Sequence, residues 1–246
     1  MPAEVCGLCG GRGIILQGDV AIPCSCMRKN AISRVYNSSG LPQKLRECSL
    51  EKFSFKYYAR DCLDMSRGVT YFELAKLAQQ AARNFVTDFL QDPHAGGLMF
   101  TGQVGSGKTY LASSIANALL SKNQQVLFIV VPDLLDLIRA TYDPDRNAWE
   151  YSEFELMESA RQVPLLILDD LGANNYTEWS RNKIYSIINY RLNHRLPVII
   201  TTNITPENME EYLGERTTSR LLEMCKLYRL QVDIDIRAVR RREMDM

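Results

Sequence analysis

The chain has 246 residues, with 29 basic and 29 acidic side chains, 46% hydrophobic residues and 24% charged ones. Those proportions belong to an ordinary soluble globular protein with a substantial core, and zero net charge argues against a protein that coats nucleic acid through an excess of Lys and Arg. No apolar run approaches the roughly 20 residues that span a bilayer, and no basic segment followed by an apolar one opens the chain, so we expect a cytoplasmic protein with no membrane partner.

Seven cysteines make a complete disulfide framework improbable, and four of them fall within the first 26 residues. Cys6 and Cys9 form one tight pair, Cys24 and Cys26 another. Two such pairs separated by a loop suit tetrahedral Zn²⁺, and Gly7, Gly10, Gly11 and Gly13 permit tight turns around the sulfurs. Only one residue separates Cys24 from Cys26, so a redox pair or free thiols stand as the competing reading. A segment this short buries little, and metal binding would supply its stability. Cys48, Cys62 and Cys225 are isolated and expected to be small buried residues. Residues 38–42 read as a linker, dividing the chain into residues 1–45, a zinc-binding module with its linker, and residues 46–246, the larger domain.

Phe53, Phe55, Tyr57 and Tyr58 form an aromatic patch, either plain core or the wall of a nucleotide-base pocket. Thr70 and Glu73 have the spacing of a capping box that opens an amphipathic helix running to about Leu90. His94, beyond its end, has no partner cluster and reads as a surface residue. A short apolar strand at residues 98–101 then meets a loop with Gly102, Gly105, Ser106 and Gly107, followed by Lys108, Thr109 and Tyr110 at the start of a helical pattern. Glycines at these positions let backbone N–H groups turn toward phosphate oxygens, Lys108 offers an ammonium to the β- and γ-phosphates, and Thr109 a hydroxyl to Mg²⁺. The spacing is that of a Walker A loop, so the expected ligand is a nucleoside triphosphate.

Residues 125–131 are a second apolar strand, Pro132 opens a helix that breaks around residues 143–146, and a second helical pattern covers residues 151–161. A third strand, residues 164–168, ends in Asp169 and Asp170. At the C-terminal edge of a parallel sheet, Asp169 could hold the Mg²⁺ shell and Asp170 orient or deprotonate a water, which is Walker B chemistry. After a helix over residues 177–192, a fourth strand at residues 197–202 ends in Asn203, whose neutral amide could bind the γ-phosphate and the attacking water. Thr205 and Pro206 have the chemistry to start another helix. Arg220, in the stretch Gly214 to Leu222, could act in trans on a neighbouring subunit's nucleotide, although a surface salt bridge is the default for such a residue. Residues 226–232 supply a fifth strand.

Taken together, GQVGSGKT at 102–109, VPDLLDLIR at 131–139, LILDDLG at 166–172, LPVIITTN at 196–203 and GERTTSRL at 214–221 resemble the DnaC/DnaI-type helicase loaders and their IstB-type transposition relatives in the AAA+ superfamily. The resemblance implies an α/β fold, a three-layer AAA+ P-loop domain with a five-stranded parallel sheet, behind a small zinc-binding module. It implies ATP, Mg²⁺ and Zn²⁺ as cofactors. It also implies Asn203 as sensor 1, Arg220 as the arginine finger and Arg237 as a sensor 2 residue whose surroundings match poorly. The two helices between the second and third strands agree with the insertion that, in the family, lies along single-stranded DNA. Expected partners are therefore a replicative hexameric DNA helicase, single-stranded DNA and further copies of the chain.

An IstB-type transposition ATPase is the nearest alternative, with the same motor and a different client. An ATP-switched adaptor is another, and a small-molecule P-loop kinase disagrees with the water-activating set of Asp169, Asp170 and Asn203. Lys122, Arg139, Arg146, Arg181 and Arg191 are candidate DNA contacts by charge, with solvated surface positions the better expectation for each.

Overall fold

The computed structural model describes residues 9, 14–17, 20–23, 41–65, 67–143, 152–173 and 176–244. Near the start, strands β1 (Ile14–Gln17) and β2 (Val20–Pro23) form an antiparallel hairpin in which Ile14 pairs with Pro23. Of the four expected zinc ligands, Cys9 is described and buried, whereas Cys6, Cys24 and Cys26 lie outside the described residues. A second hairpin, β3 (Leu63–Asp64) with β4 (Val69–Thr70), falls in a stretch with no strand signal in the sequence. It leads into helix α1 (Tyr71–Gln91), whose capping box is formed as expected: Glu73 N–H donates to Thr70 Oγ1 and the Glu73 carboxylate accepts from Thr70 N–H.

The body is a five-stranded sheet. Strand β5 (Gly97–Gly102) runs into helix α2 (Lys108–Leu120) through the glycine-rich loop. Next come β6 (Val126–Val130), α3 (Val131–Ala140), α4 (Glu153–Gln162), β7 (Leu165–Leu171), α5 (Glu178–Asn193) and β8 (Val198–Thr202). Helices α6 (Met209–Leu213) and α7 (Glu215–Met224), strand β9 (Cys225–Leu230) and helix α8 (Ile236–Met244) follow. The strand order is β6-β7-β8-β5-β9 and every pairing is parallel. Crossover helices cover both faces, so β5 to β8 are apolar up to the polar C-terminal tips of β5, β7 and β8, while the edge strand β9 also carries Lys226 and Arg229.

Side chains alternate between two cores, as strand geometry dictates. Leu98, Phe100, Phe128 and Ile199 pack with α1 and α2 on one face; Met99, Leu127, Ile129 and Ile200 pack with α3 to α7 on the other. Leu41, at the end of the expected linker, is buried against the α1–α2 face, and Asn117 on α2 donates to the carbonyls of Leu45 and Cys48, both at 2.8 Å.

Thr205 and Pro206 stand at the cap and first position of a helical segment as expected, a 3₁₀ turn at Pro206–Asn208 that leads directly into the short α6. Two expectations are corrected. Cys48 and Cys225 are buried, but Cys62 is half-buried and its thiol faces the Asp233 carboxylate at 3.7 Å. Arg191 is neither a DNA contact nor solvated. It is 0% exposed, and its guanidinium donates to the carbonyls of Ala160, Arg161, Val163, Pro164 and Pro197. These oxygens cluster where α4 passes into β7 and where β8 begins, and a planar five-donor cation can serve several at once.

Candidate functional site

The C-terminal ends of β5, β7 and β8 converge on the glycine-rich loop. Gly105 and Gly107 have φ of 73° and 93°, a region costly for any residue with a Cβ. Both are also crowded: a Cβ on Gly105 would collide with the Asp235 carboxyl group, and one on Gly107 would lie 2.7 Å from the Tyr58 hydroxyl. The loop is braced from outside. Tyr58 donates to Ser106 O at 2.8 Å, and Ile236 N–H, at the start of α8, donates to Gly105 O at 3.2 Å. Phe53 stacks on Tyr58 and tilts against Tyr110, so the aromatic patch is packing that also supports the loop. Inside it, Ser106 Oγ is buried with no hydrogen-bond partner among the described residues. An unpartnered polar atom lining a backbone cradle suits phosphate oxygens.

Lys108 donates its ammonium to Gly102 O at 2.8 Å and Gln103 O at 2.6 Å. Burial pushes its pKa down to about 8, against the pull of Asp170 and Asp169. Arg237 adds positive charge that works in the same direction as burial, which places it within electrostatic reach of the loop although it is exposed. Tyr110 lies beside Thr109, but its hydroxyl donates to Ser49 O at 3.2 Å and so faces the 48–50 segment.

Thr109 Oγ1 donates to Asp169 Oδ1 at 2.9 Å, which leaves the hydroxyl lone pairs available to a hard cation. Asp169 is 6% exposed; burial raises its pKa, opposed by hydrogen bonds from Thr201 and Thr109. A hydroxyl and a carboxylate side by side, next to a phosphate cradle, fit Mg²⁺ bound through few protein oxygens. Asp170 has φ 60°, a left-handed conformation that Asp tolerates better than most residues. Its Oδ1 accepts from Asn203 Nδ2 at 3.0 Å, so the two polar strand tips meet. Arg220 is held elsewhere in the chain: Nε donates to Asn189 Oδ1 at 2.8 Å and the guanidinium lies 4.9 Å from the Tyr185 ring centre.

Residues 66–243 match the family described as IstB-like ATP binding protein. The chain belongs to that family. Its IstB-like relatives include the replicative helicase loader DnaC of Escherichia coli K12, 29% identical over 194 residues, which are 79% of this chain and 71% of the relative. A crystal structure of the DnaC helicase loader superposes with a TM-score of 0.60 at 25% identity, covering 78% of this chain and all of that one, and DnaI gives 0.59 at 25% identity, covering 78% and 95%. AMPPCP-bound DnaA from Aquifex aeolicus, at 17% identity and a TM-score of 0.59, shares the fold. The IstB-like chain is thus an ATP-binding AAA+ protein of the helicase-loader type, and no helix among its described residues is long and apolar enough to cross a membrane.

The sequence pointed to Lys108, Thr109, Asp169, Asp170 and Asn203, and these residues meet. It gave no sign of Tyr58 or Asp235 as supports of the loop. Nor did it single out Thr201, whose hydroxyl lies within hydrogen-bond distance of both Asp169 and Asp170 N; a pair of threonines closing an apolar strand was the available signal.

Proposed function

We propose that the chain is a cytoplasmic, ATP-dependent loader that places a replicative hexameric helicase on single-stranded DNA and hydrolyses ATP to ADP to complete the cycle. The observation that carries hydrolysis is the contact between Asn203 and Asp170 beside the Thr109–Asp169 pair. That set has a metal-side carboxylate, a water-side carboxylate and a neutral amide bound to the second of them. Mg²⁺ bound by Thr109 and Asp169 would neutralise charge on the phosphates. Lys108 holds the β- and γ-phosphates, and Asp170 orients the water. Arg220 is hydrogen-bonded to Asn189 and Arg216 of its own chain and to no residue of the phosphate loop; by its likeness to the loaders we assign it to the site of an adjacent copy in an assembled form.

The loader role rests on the likeness to DnaC. Residues 1–45 form the adaptor that grips the helicase and residues 46–246 the motor. The β1–β2 register brings together the strand ends from which the two cysteine pairs depart in sequence, an arrangement that supports Zn²⁺ bound by Cys6, Cys9, Cys24 and Cys26. A transposition ATPase is the second reading, favoured by the IstB-like family match.

Co-purification decides between them. The full chain with ATP should retain the replicative helicase of its own cell, and Lys108→Ala should abolish ATP binding. Capture of a transposase with no helicase would favour the second reading. Asp170→Asn should bind ATP and lose most hydrolysis; wild-type turnover in that variant would remove Asp170 from the reaction.

A further inference from the structure

Strands β7 and β8 pair at Leu168 with Ile200 and again at Leu171 with Thr202, so three steps along β7 match two along β8. The extra residue falls at Asp169–Asp170, opposite Thr201, and makes a bulge. Asp170 N–H donates to Thr201 Oγ1 at 2.9 Å, and the same oxygen donates to Asp169 Oδ1 at 2.6 Å. A hydroxyl has one proton and two lone pairs. Thr201 gives the proton to one acid and a lone pair to the backbone of the next, at a position only 1% exposed.

The bulge matters because successive residues of a regular strand point to opposite faces. With the extra residue, and Asp170 at φ 60°, both carboxylates serve the same sheet edge: Asp169 meets Thr109 and Asp170 meets Asn203. We propose that Thr201 is the positioning residue of this acid pair, its hydroxyl holding Asp169 against Thr109 and keeping the bulge that turns Asp170 toward Asn203. The inference rests on the hydrolytic reading of the site. Valine in its place would fill the same volume, offer neither interaction and leave the Asp170 N–H without this acceptor. Serine would keep both.

The test compares full-length wild type, Thr201→Val and Thr201→Ser by titrating a fluorescent ATP analogue with and without Mg²⁺, and by steady-state hydrolysis. Thr201→Val should bind the Mg²⁺-free analogue like the wild type and need about 10- to 100-fold more Mg²⁺ to reach the metal-dependent affinity. It should lose kcat by a similar factor with KM unchanged, and Thr201→Ser should match the wild type in every measurement. If thermal melting shows that Thr201→Val is unfolded, Thr201→Ala is compared with Thr201→Ser, which differs from it by the hydroxyl alone. Wild-type Mg²⁺ dependence in the variants lacking the hydroxyl overturns the proposal, as do equal losses in Ser and Val. A wild-type chain with no Mg²⁺-dependent nucleotide binding overturns the hydrolytic reading and this inference with it; intact wild-type behaviour with an unaffected Thr201→Val overturns the inference alone.

Discussion

Asp235 stands directly against Gly105, where its carboxyl group occupies the space that a Cβ on the glycine would need. One residue later, Ile236 N–H binds Gly105 O. The phosphate loop and the first turn of α8 are therefore a single packed unit. Gly105→Ala must force a side chain into both a left-handed backbone and this contact. It should destabilise the chain by about 1–3 kcal/mol and weaken ATP binding, read by thermal melting with and without nucleotide. An unchanged melting temperature would contradict the packing described.

Lys108 supplies a pH dependence whose sign is determined. Burial holds its pKa near 8, below the ordinary lysine value of 10.5. The charged form is disfavoured in the folded chain, so this cost to stability is fully present below pH 8 and fades as pH rises from 8 to 10.5. A triphosphate favours the ammonium and raises the pKa again. Binding ATP between about pH 8 and 10 should take up as much as one proton per chain, and affinity should fall as pH rises through that window. Calorimetry at pH 8.5 in two buffers of different ionisation enthalpy measures the uptake. None would mean the amine is already fully charged.

The buried Arg191 predicts a stability defect with little effect on the site. Arg191→Met removes a charged donor from several buried carbonyl oxygens, each such bond being worth about 1.5–3 kcal/mol. Urea denaturation should show a loss on the order of 3 kcal/mol or more. Lysine, with three donors and no fork, should recover only part of it. A variant with wild-type stability would show that those carbonyls are satisfied without the guanidinium.

Arg220→Ala separates binding from stimulated turnover. ATP affinity of the isolated chain should be unchanged, because Arg220 binds Asn189 rather than the loop. Turnover in the assembled form should fall on the order of 10³-fold, the effect of removing an arginine that stabilises phosphoryl transfer. Full stimulated turnover would assign the role to Arg216 or another cation.

The paired cysteines predict one zinc per chain. Elemental analysis of protein purified without added metal should find it, and chelation should abolish helicase capture while ATP binding by residues 46–246 persists. Protein that carries no zinc as purified would remove the N-terminal site, and chelated protein that still captures the helicase would show that capture does not need the metal.

The motor was legible in the sequence because its chemistry sits in contiguous segments. The runs before Gly102, Asp169 and Asn203 are apolar, as buried parallel strands must be, and each ends in a polar tip, so strand and site were read together. Thr70 and Glu73 announced a helix start that the hydrogen bonds bear out. What stayed hidden depends on contacts between distant segments. Arg191 looks like any helical cation until five carbonyls from α4, the β7 approach and β8 surround it. The β3–β4 hairpin has two residues per strand, too short for any alternation to register. Thr201 gains its partners only through a register shift between β7 and β8, which no local pattern encodes.

Glu243 binds Lys56 at 2.8 Å and Tyr57 at 3.1 Å, across 187 and 186 positions of sequence. Helix α8 is thus a strut with one foot on the phosphate loop and the other on the segment that leads back toward the cysteine pairs. The same nine-residue helix therefore joins residues 56–57, on the N-terminal side of the motor, to the loop that forms the nucleotide cradle.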